Sequence, residues 1–157
     1  MAADRKARLI RILLLATRVL LGAIFLYAAY TKLRQPWQLF AMSINSYQLL
    51  PEQAAIFVAR TLPGFELLLG VLLILGFQLR WVAGAASALL LFFLGVMIRA
   101  FIQGQGIDCG CFGVGEALST KTLVRDGVLT AMSLVLTVAA FVQARRARAL
   151  VHAAASE

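Results

Sequence analysis

The chain has 157 residues, of which 62% are hydrophobic and 14% charged, with a formal net charge of +8. That is far more apolar than a soluble globular protein, and the length suits one membrane domain, residues 1–157. The positive charge does not point to nucleic acid, because the basic residues gather at the two ends, at Arg5, Lys6, Arg8 and Arg11 and again at Arg145, Arg146 and Arg148, flanking apolar runs as cytoplasmic membrane flanks do.

A spanning helix needs about 20 apolar residues, since each rises roughly 1.5 Å across a hydrocarbon core about 30 Å thick. The first qualifying run is 9–30. It is too long for the apolar part of a secretory signal, and Tyr27 to Lys32 makes a poor cleavage site, so it reads as a retained span. Arg18, in its inner half, is expected to snorkel to the cytoplasmic surface.

Next, in QPWQLFAMSINSYQLLP, residues Trp37, Phe40, Ala41, Ile44, Tyr47 and Gln48 recur at helical spacing between Pro36 and Pro51. This predicts an extra helix between spans one and two, lying either in the headgroup zone or as a cap on the bundle. The second span covers 63–77, with an extension back toward Ala54 that depends on whether Pro63 opens the helix or kinks it. A tight turn around Gly76 to Arg80 leads to the third span, 81–102, and makes spans two and three antiparallel neighbours. The fourth span is 123–142, with Ser119 or Thr120 as its N-cap and a frayed tail after Arg148. Small residues in the spans, Gly22, Ala28, Ala29, Gly70, Gly84, Ala85, Ala86 and Gly95, are read as packing surfaces. The fold class is therefore an all-α, four-transmembrane-helix bundle. The positive-inside rule places both termini in the cytoplasm and the loop 104–120 on the far side.

That loop holds the only two cysteines, Cys109 and Cys111, in GIDCGCFG. Metal binding is disfavoured, because the sole histidine, His152, lies in the opposite tail and only Asp108 offers a nearby third ligand. A structural staple is disfavoured too, since a loop with one intervening residue hardly restricts the unfolded chain. A redox-active pair fits better: bridging across one residue gives a small strained ring that opens readily to a thiolate, and Gly110 supplies the backbone freedom it demands. The cations Lys32, Arg34, Arg99, Lys121 and Arg125 near this end favour a thiolate, and the adjacent Asp108 opposes it.

Glu66, Arg99, Arg125 and Asp126 lie about a turn inside their spans, where charged groups face the bundle and pair with each other. They serve either as ion pairs that set helix register, with Glu66 on Arg99 or Arg125, or in proton or quinone handling. Phe92, Phe93 and Phe101 could line a quinone pocket, although lipid contact or core packing is the simpler reading.

Several blocks resemble the MauE family of methylamine-utilization accessory proteins, within the DoxX-like four-helix membrane proteins. They are Ala29-Tyr30-Thr31-Lys32-Leu33, Tyr47-Gln48-Leu49-Leu50-Pro51, Leu62-Pro63-Gly64-Phe65-Glu66-Leu67 with Leu69-Gly70, Asp108-Cys109-Gly110-Cys111-Phe112-Gly113 and Val124-Arg125-Asp126. The resemblance implies a protein of the bacterial inner membrane that helps form or isomerise disulfides in periplasmic clients beside a thioredoxin-like partner. In the family this is linked to the disulfide-rich small subunit of methylamine dehydrogenase, hence to methylamine metabolism and electron transport. DoxX-like relatives tied to quinones add a quinone as a cofactor expectation. Cys109 and Cys111 are the expected exchange pair, with Gly110, Asp108, Glu66, Arg99, Arg125 and Asp126 in support. The alternatives are a structural or assembly subunit of a larger membrane complex, or a quinone-linked oxidoreductase subunit.

Overall fold

Backbone N–H and C=O groups find no partner in lipid, so each of the four apolar runs satisfies its own as a helix. A computed structural model describes Ala2–Ala155; of the residues read above as cytoplasmic flank and tail, the side chains of Arg146, Arg148 and His152 lie outside those described. The order is α1 (Ala2–Leu33), α2 (Trp37–Ser46), α3 (Glu52–Leu75), α4 (Leu79–Ile102), β1 (Asp108–Gly110), β2 (Gly113–Ala117) and α5 (Thr120–Ala155). Within these helices four segments are long and apolar enough to cross a membrane, Arg8–Leu33, Glu52–Leu75, Leu79–Ile102 and Thr120–Arg145. The chain is a multi-pass helical membrane protein.

The second span begins at Glu52, so of the two placements left open for Pro63 it takes the one inside α3. Three sequence-based expectations change. The tail after Arg148 continues α5 as helix to Ala155. The loop 104–120 contains an antiparallel hairpin, paired Asp108 to Ala117 and Gly110 to Gly113 with a bulge between. Finally, α1 packs mainly along α3 and α4 mainly along α5, and the turn-linked α3 and α4 touch less. A tight connection forces proximity at one end of two helices, while side-chain size decides where they run close.

The α1–α3 contact shows that size effect. A Cβ on Gly22 would lie 2.9 Å from the Gly70 carbonyl oxygen, and one on Gly70 would lie 2.9 Å from the Gly22 carbonyl oxygen, so each glycine makes room for the other's backbone. Gly84 and Gly95, by contrast, have open space at the Cβ position. Across the other seam, Ser87 shares hydrogen bonds of 2.8 and 2.9 Å with the hydroxyls of Ser133 and Thr137, which joins α4 to α5 through buried polar groups. Leu21, Phe25, Leu69, Leu73, Leu129 and Leu136 fill the core between the seams.

Arg18 ties α1 to the end of α3. Its Nη2 donates to the Ile74 carbonyl at 3.3 Å, at the C-terminus of α3, where Gly76 takes a φ of +73° to turn the chain. The guanidinium thus meets one orphan carbonyl at the negative end of a helix dipole. At the other end of the bundle, α2 buries Phe40 and Ala41 against Ala59 and Leu62 of α3, and Arg60 lies over the Trp37 ring, 4.2 Å from its centroid. Helix α2 thus packs on α3.

Gly70→Ala is expected to destabilise the protein by about 1–3 kcal/mol through overpacking, while Gly84→Ala stays within about 0.5 kcal/mol of the parent. Thermal unfolding in detergent micelles distinguishes the two. Equal melting temperatures would show that the glycine contact is not tight.

Candidate functional site: a paired-thiol hairpin over a buried ion pair

The cysteines stand on the hairpin, Cys109 within β1 and Cys111 in the two-residue turn. Gly110 between them has a φ of +70°, a left-handed conformation that costs glycine nothing and strains any side chain. Tyr47, just past α2, donates its hydroxyl to the Cys109 carbonyl at 2.9 Å and so holds the hairpin from one side.

From below, the hairpin is held by Lys32, in the last turn of α1. Its ammonium donates to both carboxylate oxygens of Glu66 on α3, at 2.8 and 2.9 Å, and to the Cys111 carbonyl at 2.6 Å. All three of its protons are used, and the Phe40 ring covers it, with the centroid 5.4 Å away. Lys32 is 3% and Glu66 5% exposed, so the pair is screened from water. A pair this deep exists only because each charge satisfies the other.

The two sulfurs meet different groups. Cys109 Sγ accepts from the backbone N–H of Cys111 at 3.4 Å and faces Arg125 Nη2 at 3.9 Å. Arg125 itself is braced by Glu116 and by Asp126 Oδ1, and lies 4.4 Å from the centroid of Phe112. Cys111 Sγ donates to Asp126 Oδ2 at 3.3 Å and lies 3.5 Å from Met97 Sδ. The hydrogen bonds that Cys111 supplies hold the Cys109 thiol below the ordinary cysteine range, against the opposing effect of its burial. Cys111 is pushed the other way by its link to Cys109, by burial and by the negative charge of Asp126. Desolvation and the surrounding anions likewise raise the Tyr47 phenol, which keeps it a hydrogen-bond donor. Cys109 is buried and Cys111 half-buried, and both are free thiols.

Several expectations are corrected at this point. Glu66 pairs with Lys32 and with neither Arg99 nor Arg125. Arg99 has no ion-pair partner among the described residues and lines a cavity instead. Asp108 turns its carboxylate into the hairpin, accepting from the Gly115 N–H at 3.3 Å. Of the five cations expected near the thiols, Arg125 reaches a sulfur, Lys32 reaches the hairpin backbone, and Arg34 turns to Tyr30. If a metal were held, its ligands would be Cys109, Cys111 and Asp126, whose donor atoms lie within 4.8 Å of one another, with Asp126 in the place considered for Asp108. Tyr47, Met97 and Glu116 are site residues that the sequence reading does not single out, and Lys32 enters it only as one of the cations near the thiols. Lys32 and Tyr47 did lie within the motif blocks, but no spacing rule links them to the cysteines.

Fold and site together define a four-span membrane protein that carries a dithiol hairpin at one end of its bundle. The sequence profile described as Methylamine utilisation protein MauE matches residues 10–139, and the chain belongs to that family. It is 34% identical over 122 residues to the methylamine utilization protein MauE of Paracoccus denitrificans and 35% identical over 122 residues to that of Paracoccus versutus. Each match covers 76% of this chain and 65% of the relative, so the matched region spans just under two thirds of those relatives. No solved structure matches the chain.

Lys32→Met alone leaves Glu66 buried without a partner and is expected to cost about 3–5 kcal/mol, whereas the double change Lys32→Met with Glu66→Leu recovers most of that loss. Thermal unfolding of the two variants checks this, and equal losses would mean that the pair is not isolated from water.

In the reduced protein, modification by N-ethylmaleimide should set in at lower pH for Cys109 than for Cys111, because the thiolate that reacts is favoured at the first and opposed at the second. Asp126→Asn removes the charge that raises Cys111 and should move the Cys111 midpoint down. Mass spectrometry of each site across pH reads both; coincident midpoints would remove the asymmetry.

Proposed function

We propose that this chain is a membrane-bound thiol-disulfide exchange protein that helps form or isomerise disulfides in client proteins outside the cytoplasm. The observation that carries this reading is the unequal setting of two adjacent thiols, one facing a guanidinium and a backbone N–H, the other a carboxylate. A pair kept for structure has no use for that difference. For exchange it decides the direction of bond breaking, since the thiol of lower pKa leaves faster.

The steps follow from the geometry. With the pair oxidised, a client thiolate attacks Cys111, the less buried residue of the two. The Cys109–Cys111 bond breaks and its electron pair leaves on Cys109, where Arg125 and the Cys111 N–H receive it. A mixed disulfide now joins Cys111 to the client. The client's second thiolate attacks its own sulfur in that bond, which releases the client disulfide and returns Cys111 as a thiolate, protonated through Asp126. The pair ends as a dithiol and the client oxidised by the same two electrons. In reverse, Asp126 accepts the Cys111 proton as general base.

The client setting is part of the proposal. The excess of positive charge at the termini supports a cytoplasmic location for both, with the hairpin on the opposite face of the inner membrane. The name of the Paracoccus relatives supports a role in methylamine utilisation, and the family resemblance supports a thioredoxin-like partner between this chain and its clients.

Cys109→Ser leaves Cys111 without the sulfur that would resolve its adducts, so this variant should accumulate a reductant-sensitive covalent complex with a partner protein. Cys111→Ser should accumulate at least tenfold less, because Cys109 is buried. Non-reducing gels of membranes from cells expressing each variant give the answer. Absence of any adduct from either variant would refute exchange, and a larger yield from Cys111→Ser would reverse the roles of the two sulfurs.

A further inference from the structure

The two thiols are not the only sulfur at this end of the bundle. Met97 of α4 is fully buried, and its Sδ lies 3.5 Å from Cys111 Sγ. The Sγ atoms of Cys109 and Cys111 and a carboxylate oxygen of Asp126 lie within 4.8 Å of one another. A metal–thiolate bond is about 2.3 Å long, so two thiolates on one ion stand at most about 4.6 Å apart. The two cysteine sulfurs are thus within, or a few tenths of an ångström of, the separation that a single ion bridges. The hairpin that carries them is already fixed at its backbone by Lys32 and Tyr47. The further ligand that the loop does not offer by itself comes from a neighbouring helix.

We infer that the reduced hairpin binds one monovalent copper ion, held by the thiolates of Cys109 and Cys111 and by the thioether of Met97. The donor set selects the ion. Thiolate and thioether together are soft ligands that suit Cu(I). Zinc sites are built from Cys, His and carboxylate, and divalent copper favours planar arrays of nitrogen and oxygen. Of these four side chains only Asp126 brings an oxygen, and none brings a nitrogen. The charges favour a cation as well. With both thiols ionised, the two sulfurs, Asp126 and Glu116 outnumber Arg125, the guanidinium that faces Cys109, while Lys32 is engaged with Glu66.

Binding forms two copper–thiolate bonds and releases two protons. The proton of Cys111 leaves along its existing hydrogen bond to Asp126 Oδ2, the proton of Cys109 goes to water, and no electrons move. Arg125 stays beside Cys109 and steadies the thiolate from outside the coordination shell. The inference goes beyond the exchange reading and does not depend on it. An ion on both sulfurs leaves neither free to form or attack a disulfide, so copper loading sets the fraction of hairpins open to exchange.

Full-length protein, reduced in detergent micelles without oxygen, is titrated with Cu(I) against bicinchoninate, whose colour reports the copper it retains. One ion per chain is expected, and Cys111→Ser should abolish tight binding. Met97→Leu nearly conserves volume and should weaken binding roughly tenfold or more. Met42→Leu, on the exposed side of α2, should leave it unchanged. X-ray absorption at the copper edge should find three sulfurs around the ion in the wild type and two in Met97→Leu, and the wild-type spectrum stands whether or not any variant folds. Copper-loaded protein should resist N-ethylmaleimide at both cysteines. Equal affinity of wild type and Met97→Leu, a wild-type shell of two sulfurs, or displacement of Cu(I) by Zn(II) in a manner lost in Asp126→Asn would overturn the inference, the last by assigning the site to a divalent ion held through the carboxylate. Covalent trapping by Cys109→Ser is scored separately: trapping without copper binding sinks only this inference, and copper binding without trapping sinks only the exchange reading.

Discussion

One buried ammonium organises this end of the molecule. Lys32 Nζ joins α1 to Glu66 on α3 and to the carbonyl of Cys111 on the hairpin, under the ring of Phe40 from α2. Four elements therefore converge on three protons. Within a bilayer neither charge tolerates the loss of its partner, and the third proton must find an acceptor. That acceptor is the backbone of the residue whose side chain is one of the two thiols. The position of the hairpin is thus set by the cost of leaving an ammonium proton unbonded, a stronger constraint than any available to a glycine-rich loop by itself.

Because the hairpin is held at its backbone, from below by Lys32 and from the side by Tyr47, the two sulfurs remain free to meet different environments. Arg125 is the pivot of that difference. It reaches toward Cys109 while holding Asp126, which in turn accepts from Cys111. Cation, carboxylate and both thiols form one connected network, so a change of protonation or bonding at one sulfur is felt at the other through short contacts. Glu116 completes the brace from β2, which ties the network to the strand opposite Cys109.

The same arrangement gives the hairpin two faces. Toward α5 lie Arg125 and Asp126, and toward α2 and α4 lies a largely apolar space. Helix α2 borders both the buried ion pair and this space. By packing Phe40 on α3 it covers the ion pair, and with Ser43 and Ile44 it walls the cavity. A short amphipathic segment between two spans therefore does more than link them.

Much of the architecture was legible in the chain. Four apolar runs sufficed for four spans because lipid forces each segment to satisfy its own backbone, which is a local requirement. The small residues marked a helix contact, and Gly22 with Gly70 made one, while Gly84 and Gly95 did not, because closeness depends on which face of a helix its neighbour covers. Pro63 remained ambiguous since a proline at that position is compatible with either the start or the interior of a helix. The cysteine pair and the charges around it were visible as a set, but their pairing was not. Glu66 chose Lys32, 34 residues earlier, over Arg99 and Arg125, and Lys32 also bonds the Cys111 carbonyl, 79 residues later. The sequence by itself determined the spans, the thiol pair and the stock of charges, all of which follow from local composition and spacing. Only the tertiary structure decided which charge meets which sulfur and where Cys109 faces, because those choices depend on the rotation and depth of packed helices, and no short-range pattern in the chain encodes either.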